Sequence, residues 1–515
     1  MLFNSYPFLF VFLPAALAAF ALASRSVPRA VVPLLGVLSL AFYGWWNPPH
    51  LLLICASILF NFGIAQAMHD AVHLANPVRQ RRLLVLGIAF NLAALGYFKY
   101  AQFLLEALGS LTGAGLSMEN PGLPLGISFF TFTQIAYLVD AYRDEPERRD
   151  LPSYLLFVTF FPHLIAGPIY HHKEMLPQYA RLPAYRLNAR DLAAGITIFM
   201  LGLFKKTVFA DGIAPYADHV YSLAASSVTT GAAPGAIDCW FGTLAYALQI
   251  YFDFSGYSDM AIGLARLFGI ALPLNFASPY KAQSIIEFWR RWHMSLSRFL
   301  RDYLYIPLGG NRKSRLRTWI NIGITMMLGG LWHGANWTFV AWGTLHGALL
   351  VANHAWRTLH PAAHLQSELQ SRPPWLRAVP VILTFVCVLF AWVLFRANSM
   401  AEAGAVYRGM FGFNASASVA GADIGVWQQL LGAGAPWCLL LLAIAWFAPN
   451  TQQIMGRYNT ALPTYPEQAQ QDTGPLWRDS MSWQPNMKWA LIMAAISVAA
   501  MIAMTGSSRF LYFQF

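Results

Sequence analysis

An all-α, polytopic membrane fold is the architecture that this 515-residue chain predicts, on three observations. Only 11% of its residues are charged, 57% are hydrophobic and the mean hydropathy is +0.45; an average soluble domain is about 25% charged. A series of apolar stretches meets or approaches the roughly 20 residues that a bilayer-crossing helix needs. These stretches are rich in Leu, Ala and Phe and lack the roughly ten-residue alternation of an outer-membrane barrel. The composition excludes a soluble globular enzyme, a disordered chain and a nucleic-acid-binding domain, despite the +11 net charge. The basic excess reads as charge on cytoplasmic loops.

In order, the stretches run near 6–23, 30–46, 51–67, 83–100, 121–139, 151–169, 192–210, 237–265, 319–351, 379–395, 435–449 and 488–505. The run from Trp319 to Val351 holds 33 residues, enough for two crossings or one broken one. Ten to thirteen membrane-embedded helices are therefore expected, some re-entrant or interfacial, in a single domain spanning 1–515. The polar stretches near 352–378, 396–434 and 450–487 read as loops or surface helices. No basic residue precedes the first span, the earliest being Arg25. That span reads as an uncleaved helix with the N-terminus on the outer, periplasmic side and Arg25 and Arg29 in the cytoplasm, as in a bacterial inner membrane. Cys55, Cys239, Cys387 and Cys438 lack CxxC spacing and read as small buried hydrophobes.

Charge is concentrated between Lys281 and Arg317, where nine of the 34 basic residues fall within 37 positions. On a wheel of about 100° per residue, Arg290, Arg291, Arg298 and Arg301 share one face of 286–303, and Phe288, Trp289, Trp292, Leu296, Phe299, Leu300 and Tyr303 share the other. His293 falls on the border. The pattern describes an amphipathic helix lying in the membrane interface. It fits a surface anchor, and it fits equally a site where arginines hold a phosphate-bearing substrate. The turn Gly309-Gly310-Asn311-Arg312-Lys313 would add backbone donors and charge.

The Trp319–Val351 run contains no Asp, Glu, Lys or Arg, and its titratable groups are His333 and His346. His333 stands among Gly329, Gly330 and Gly334, which weaken a helix and point to irregular backbone lining a cavity. An ionisable residue there is a functional candidate; His346, on regular helix, reads as structural. Asp253 and Asp259, in the apolar run from Trp240 to Ala265, need partners: each is a candidate to orient a histidine or bind a hydroxyl, or a helix-packing acceptor. His163, between Pro162 and Pro168, marks a helix end or re-entrant turn. His69 with His73, and His171 with His172, read as loop residues, and no metal site is expected. Walker A, GxSxG and HExxH motifs are absent, as is a histidine followed five residues later by aspartate.

The run from Glu287 to Ser297, continuing through Arg301 to Arg312, resembles the signature of membrane-bound O-acyltransferases, and so does Gly329 to Asn336. Met1 to Ser5, Phe161 to Pro168, Tyr251 to Ile262 and Phe510 to Phe515 are similar to the exopolysaccharide-modifying subgroup that includes the alginate O-acetylation membrane subunit. The core motifs lie within 251–347, and 352–487 carries the fewest family features. The resemblance implies a multi-helix fold with a central tunnel, a cytoplasmic acetyl donor such as acetyl-CoA, no cofactor, and acetyl delivery toward the opposite face. It matches the family's near-invariant histidine to His333 and its second motif histidine to His293. It also implies an extracytoplasmic SGNH-type acetyltransferase and polysaccharide synthesis and export machinery as partners, beside the bilayer itself.

The expected chemistry is acyl transfer. His333, neutral when buried, takes a proton from an incoming hydroxyl or is itself acylated transiently. Asn336 or backbone amides stabilise the oxyanion, and Asp253 supports the site. Arg290, Arg291, Arg298, Arg301, Arg312 and Lys313 bind the donor. The alternatives are an acyltransferase acting on cellulose, teichoic acid (D-alanylation), lipid or protein, and a transporter, whose paired half-repeats the chain lacks.

Overall fold

The computed structural model describes the chain except residues 46, 119–121, 144–149, 231–232, 361–373, 415–431, 433, 459–460, 463–480, 505–509 and 512–515. Helices dominate, and the described residues include one isolated bridge, between Pro273 and Leu462, and no strand. The first half contains α1 (Leu13–Ser26), α2 (Val31–Gly44), α3 (Pro48–His73), α4 (Pro77–Leu95), α5 (Ala101–Thr112), α6 (Ile127–Arg143), α7 (Leu151–Thr159), α8 (His172–Arg181), α9 (Ala189–Phe204) and α10 (Asp211–Thr230). The second half contains α11 (Ala236–Leu267), α12 (Ile285–Arg291), α13 (Met294–Leu300), α14 (Arg315–His333), α15 (Trp337–Leu359), α16 (Pro374–Arg396), α17 (Met400–Met410), α18 (Ala435–Phe447) and α19 (Met487–Ala503).

The helix starts follow local chemistry. Asn76, Asn188, Ser284, Ser314 and Asn336 each accept a backbone N–H from the first turn that follows, a contact that satisfies one of the orphan donors at a helix start. Among the described residues five helices are long and apolar enough to cross a membrane by length and composition: Phe8–Ser26, Pro48–His73, Pro77–Thr112, Ala189–Thr230 and Ala378–Arg396. Pro28–Gly44, Ala435–Phe447 and Met487–Ile502 are shorter apolar helices.

Most of the expected spans appear as helices, but 151–169 does not. Helix α7 stops at Thr159, and 160–170 turns through buried loop carrying Pro162 and Pro168. Helix α11, 32 residues long and buried along most of its length, packs against α9 and α10 and divides the interior. One apolar cluster centres on α1–α3 and α6–α9, the other on α10–α12, α15 and α16.

Candidate active site

The uncharged run forms a hairpin. Helix α14 ends at His333, 334–336 turns, and α15 begins at Trp337. At about 1.5 Å per residue α14 is about 28 Å long, so His333 stands nearly one bilayer core away from the basic loop at Arg315. The glycines act differently from expectation. Gly334 is extended, and Gly329 and Gly330 lie inside regular helix. A Cβ on Gly330 would sit 2.3 Å from the Phe339 carbonyl oxygen, and one on Gly343 would sit 2.3 Å from that of Met326. They serve close approach of the two helices.

Asn336 braces the tip: its Oδ1 accepts the Thr338 N–H at 3.1 Å and its Nδ2 donates to the Asn398 carbonyl at 2.8 Å. The His333 ring is buried among Trp332, Trp342 and Phe395, with centroids 5.0, 5.1 and 5.1 Å away. The His293 ring is 6.4 Å away.

His293 arrives there because 286–303 is not one interfacial helix. The backbone breaks between α12 and α13 with His293 left-handed at φ 43°, ψ 53°. Such a conformation is uncommon in a non-glycine residue and persists where surroundings enforce it. Asn275 does so. Its carbonyl accepts the Met294 N–H at 3.0 Å, while its Oδ1 accepts from His293 Nδ1 at 3.1 Å and from the Ser295 hydroxyl at 2.9 Å. With Nδ1 donating, Nε2 of a neutral His293 ring carries the lone pair. The aromatic face, Phe288, Trp289 and Trp292, is buried in the protein core rather than in lipid. The segment is two short helices folded into the protein interior.

The break redistributes the basic residues. Arg291 is buried and bonds Glu287 Oε1 at 2.7 Å and the Ala277 carbonyl at 3.1 Å. Arg298 forms a two-pronged pair with Glu174, at 2.6 and 2.8 Å. Burial alone would raise the Glu174 carboxyl, but the Arg298 guanidinium outweighs it and holds the group below its ordinary value. Arg301 is exposed and pairs with Asp302 at 2.7 Å. Arg290, Arg312 and Lys313 are exposed. Arg290 is an electrostatic neighbour of Arg357 and His354 at the far end of α15, where Arg357 Nη2 donates to Ser284 Oγ at 3.2 Å.

A cavity of about 340 Å³ opens at the hairpin tip, lined by Tyr97, Lys99, Gln102, Gly334, Asn336, Phe339, Phe395, Arg396, Asn398 and Leu511 among others; His333 is not in its wall but adjoins Gly334 and Phe395, which are. Asp253 is not placed beside a histidine. It pairs with Lys206 Nζ at 2.6 Å and accepts the Leu511 N–H at 3.1 Å, so it reaches the cavity only by anchoring Leu511. Asp259 pairs with Lys205 at 2.6 Å and accepts from the Thr451 hydroxyl at 2.6 Å.

His346 Nδ1 accepts from Trp289 Nε1 at 3.3 Å, a packing contact between α12 and α15. His163 lies in the turn after α7, its ring 4.1 Å from that of Tyr170. Three of the expected loop histidines are helical, His69 and His73 on α3 and His172 at the start of α8, while His171 is extended and caps α8. His172 pairs with Asp140 at 3.3 Å, and Tyr303 bridges Asp140 and His171 at 2.7 and 2.9 Å. Among the described residues no cluster has the makings of a metal site.

A broken, uncharged hairpin whose terminal histidine meets a second histidine on a broken, buried segment agrees with the comparison to known families. The model of the membrane-bound O-acyltransferase family matches residues 37–396. The chain belongs to that family. It is 39% identical to the probable alginate O-acetylase AlgI of Pseudomonas putida over 100% of both chains. It is 41% identical to the peptidoglycan O-acetyltransferase of Helicobacter pylori over 80% of each. It is more distantly similar to the teichoic acid D-alanyltransferase of Streptococcus thermophilus, 30% identical over 53% of this chain and 68% of that one.

For this O-acyltransferase, sequence reasoning missed Lys99 and Arg357. Lys99 ends an apolar run, where a lysine ordinarily reaches for the interface; its signal was that it is the single cation from Leu83 to Thr112 in the apolar helix Pro77–Thr112. Arg357 lies 11 residues after His346, about 20° away on the helical wheel, and so falls on the His346 face of α15. Of the closing Phe510–Phe515 segment, Phe510 and Leu511 are described and the rest lies outside the described residues.

Proposed function

We propose that the enzyme transfers an acetyl group from cytoplasmic acetyl-CoA to a hydroxyl reached from the opposite side of the membrane, for O-acetylation of an exopolysaccharide such as alginate. The observation that carries this reading is the meeting of His293 and His333, rings 6.4 Å apart, beside Gly334 and Phe395, which line the polar cavity at the hairpin tip. The relatives' printed names, an alginate O-acetylase and a peptidoglycan O-acetyltransferase, both put an acetyl group on a glycan.

Arg290 and Arg357, together with Arg312 and Lys313, bind the donor's phosphates as charge-assisted contacts. The thioester reaches His333 from the α12 side. The hydroxyl enters through the cavity and gives its proton to the neutral His333 imidazole as the C–O bond forms. The tetrahedral oxyanion collapses, the C–S bond breaks, and the departing thiolate takes the proton. Asn336 has one amide hydrogen left after its bond to Asn398 and stands on the cavity wall, where an oxyanion donor is needed. His293, its Nδ1 held by Asn275, orients the thioester. The basic Lys281–Arg317 segment faces the cytoplasm of an inner membrane, the N-terminus faces the periplasm, and an SGNH-type transferase with the polysaccharide export machinery takes the acetyl group onward.

The test uses purified enzyme in vesicles with radiolabelled acetyl-CoA supplied on one side at a time. Labelling of an acceptor on the side opposite the donor, only when the donor meets the Lys281–Arg317 face, is expected. A cysteine placed at Ser314 and labelled by an impermeant reagent reports that face. Transfer with the donor on the other face overturns the reading.

A further inference from the structure

Helix α14 stops at His333, whose ring lies 6.4 Å from that of His293 and whose next residues, Gly334 to Asn336, line the cavity. In a continuing helix the carbonyls of Leu331, Trp332 and His333 would accept the N–H groups of Ala335, Asn336 and Trp337. The turn removes those donors, and carbonyls without partners at membrane depth are costly. One neighbouring turn replaces all three. The Tyr100 hydroxyl donates to the Leu331 carbonyl at 3.0 Å, and Lys99 Nζ donates to the Trp332 carbonyl at 2.6 Å and to the His333 carbonyl at 3.2 Å.

The third ammonium hydrogen goes to Ser128 Oγ at 3.3 Å. An ammonium has three donors, so Lys99 has none left for a ligand although it lines the cavity. Its charge lies at the negative end of the α14 dipole, where a cation is favoured. Both residues belong to a π-helical turn, Gly96–Tyr100, within the long apolar helix; such turns recur at functional sites.

We propose that Lys99 and Tyr100 form a side-chain cap that ends α14 at His333 and fixes the angle of its ring, which makes Lys99 a positioning residue for acyl transfer. This rests on the reading of His333 as the base.

The test compares Lys99→Met, Lys99→Arg and Tyr100→Phe with His333→Gln in purified, reconstituted enzyme. A misplacement of about 1 Å at a reacting group costs on the order of 10²-fold in rate. Lys99→Met, similar in length but without donors, is expected to lower kcat on the order of 10²-fold, with the donor KM within about twofold of wild type. Lys99→Arg, which still reaches carbonyls, restores part of kcat. A packing role alone would leave Lys99→Met near wild type. Unchanged kcat in Lys99→Met, or a raised KM at unchanged kcat, overturns the proposal. If Lys99→Met fails to accumulate in the membrane, Tyr100→Phe decides: it loses one neutral hydrogen bond and kcat falls about fivefold, while an unchanged kcat overturns the cap. An active His333→Gln brings down the base reading and the cap with it. An inactive His333→Gln beside a fully active Lys99→Met removes the cap alone.

Discussion

Replacing Gly330 with alanine perturbs the hairpin at its tightest point. The added Cβ would lie 2.3 Å from the Phe339 carbonyl oxygen and 2.9 Å from Gly343 Cα. A carbon–oxygen contact normally sits no closer than about 3.3 Å, so α14 and α15 must separate by about 1 Å. Neither neighbour is the end of a flexible side chain, and the backbone itself has to move. Overpacking of this kind typically costs about 1–3 kcal/mol. Because His333 is three residues further along α14 and its wall, Trp342, belongs to α15, the shift reaches the reacting groups, where about 1 Å is worth on the order of 10²-fold. Gly323→Ala is the matched control. It lies on the same helix, a Cβ there meets nothing within 4 Å, and alanine is favoured over glycine by about 1 kcal/mol. The assay is acetyl turnover by reconstituted enzyme together with thermal unfolding in detergent. Gly330→Ala is expected to unfold earlier and lose turnover, and Gly323→Ala to match or exceed wild-type stability at full turnover. A Gly330→Ala enzyme as stable and active as wild type would refute the close-approach role of this glycine.

Three further outcomes are expected. Arg298 holds the Glu174 carboxyl below its ordinary value of 4.5, so the pair's contribution to stability is complete above that pH and is lost as pH falls through the lowered folded value. Unfolding temperature measured against pH should show that acid-side loss in wild type and less of it in Glu174→Gln. Arg290→Gln and Arg357→Gln should each raise the donor KM by about tenfold at nearly constant kcat, the effect of one charge-assisted contact; donor titrations in which KM stays constant would reduce both residues to anchors. Asp253→Ala removes one of the two carboxylates that pair with buried Lys206 and releases the Leu511 N–H. Breaking a buried pair costs about 3–5 kcal/mol, so the yield of folded protein should fall, and Lys206→Met in the same chain should recover part of it.

Much of the helical framework was legible in the sequence because lipid-spanning helices need length and apolarity, and both are local properties. The 319–351 run resolved into two helices at the position its histidine and glycines marked. Span 151–169 failed because its apolar residues are buried in protein, a distinction hydropathy does not make; α7 ends at Thr159 and the loop after it is covered. The helical wheel of 286–303 assumed one helix and set Arg291 on the water-facing side, whereas the helix breaks and Arg291 is buried; it could not show that His293 adopts a left-handed backbone, because the force behind it is Asn275, 18 residues away in sequence. Arg291 and Arg298 looked like ligands for the donor because their carboxylate partners come from one turn earlier and from α8. Lys99 stood out only as a cation within an apolar helix, and its role could not be read because its partners are carbonyls 233 and 234 residues away.

The most direct measurement is acetyl transfer by His333→Gln. Glutamine keeps a hydrogen-bonding side chain but cannot act as the base, and loss of a general base typically costs about 10²–10⁴ in rate. With protein level, membrane insertion and polymer export matched to wild type, His333→Gln and His333→Ala should both leave acetylation of the secreted polymer near background. Substantial acetylation by His333→Gln would contradict the base role and make the histidine a structural residue of the hairpin tip.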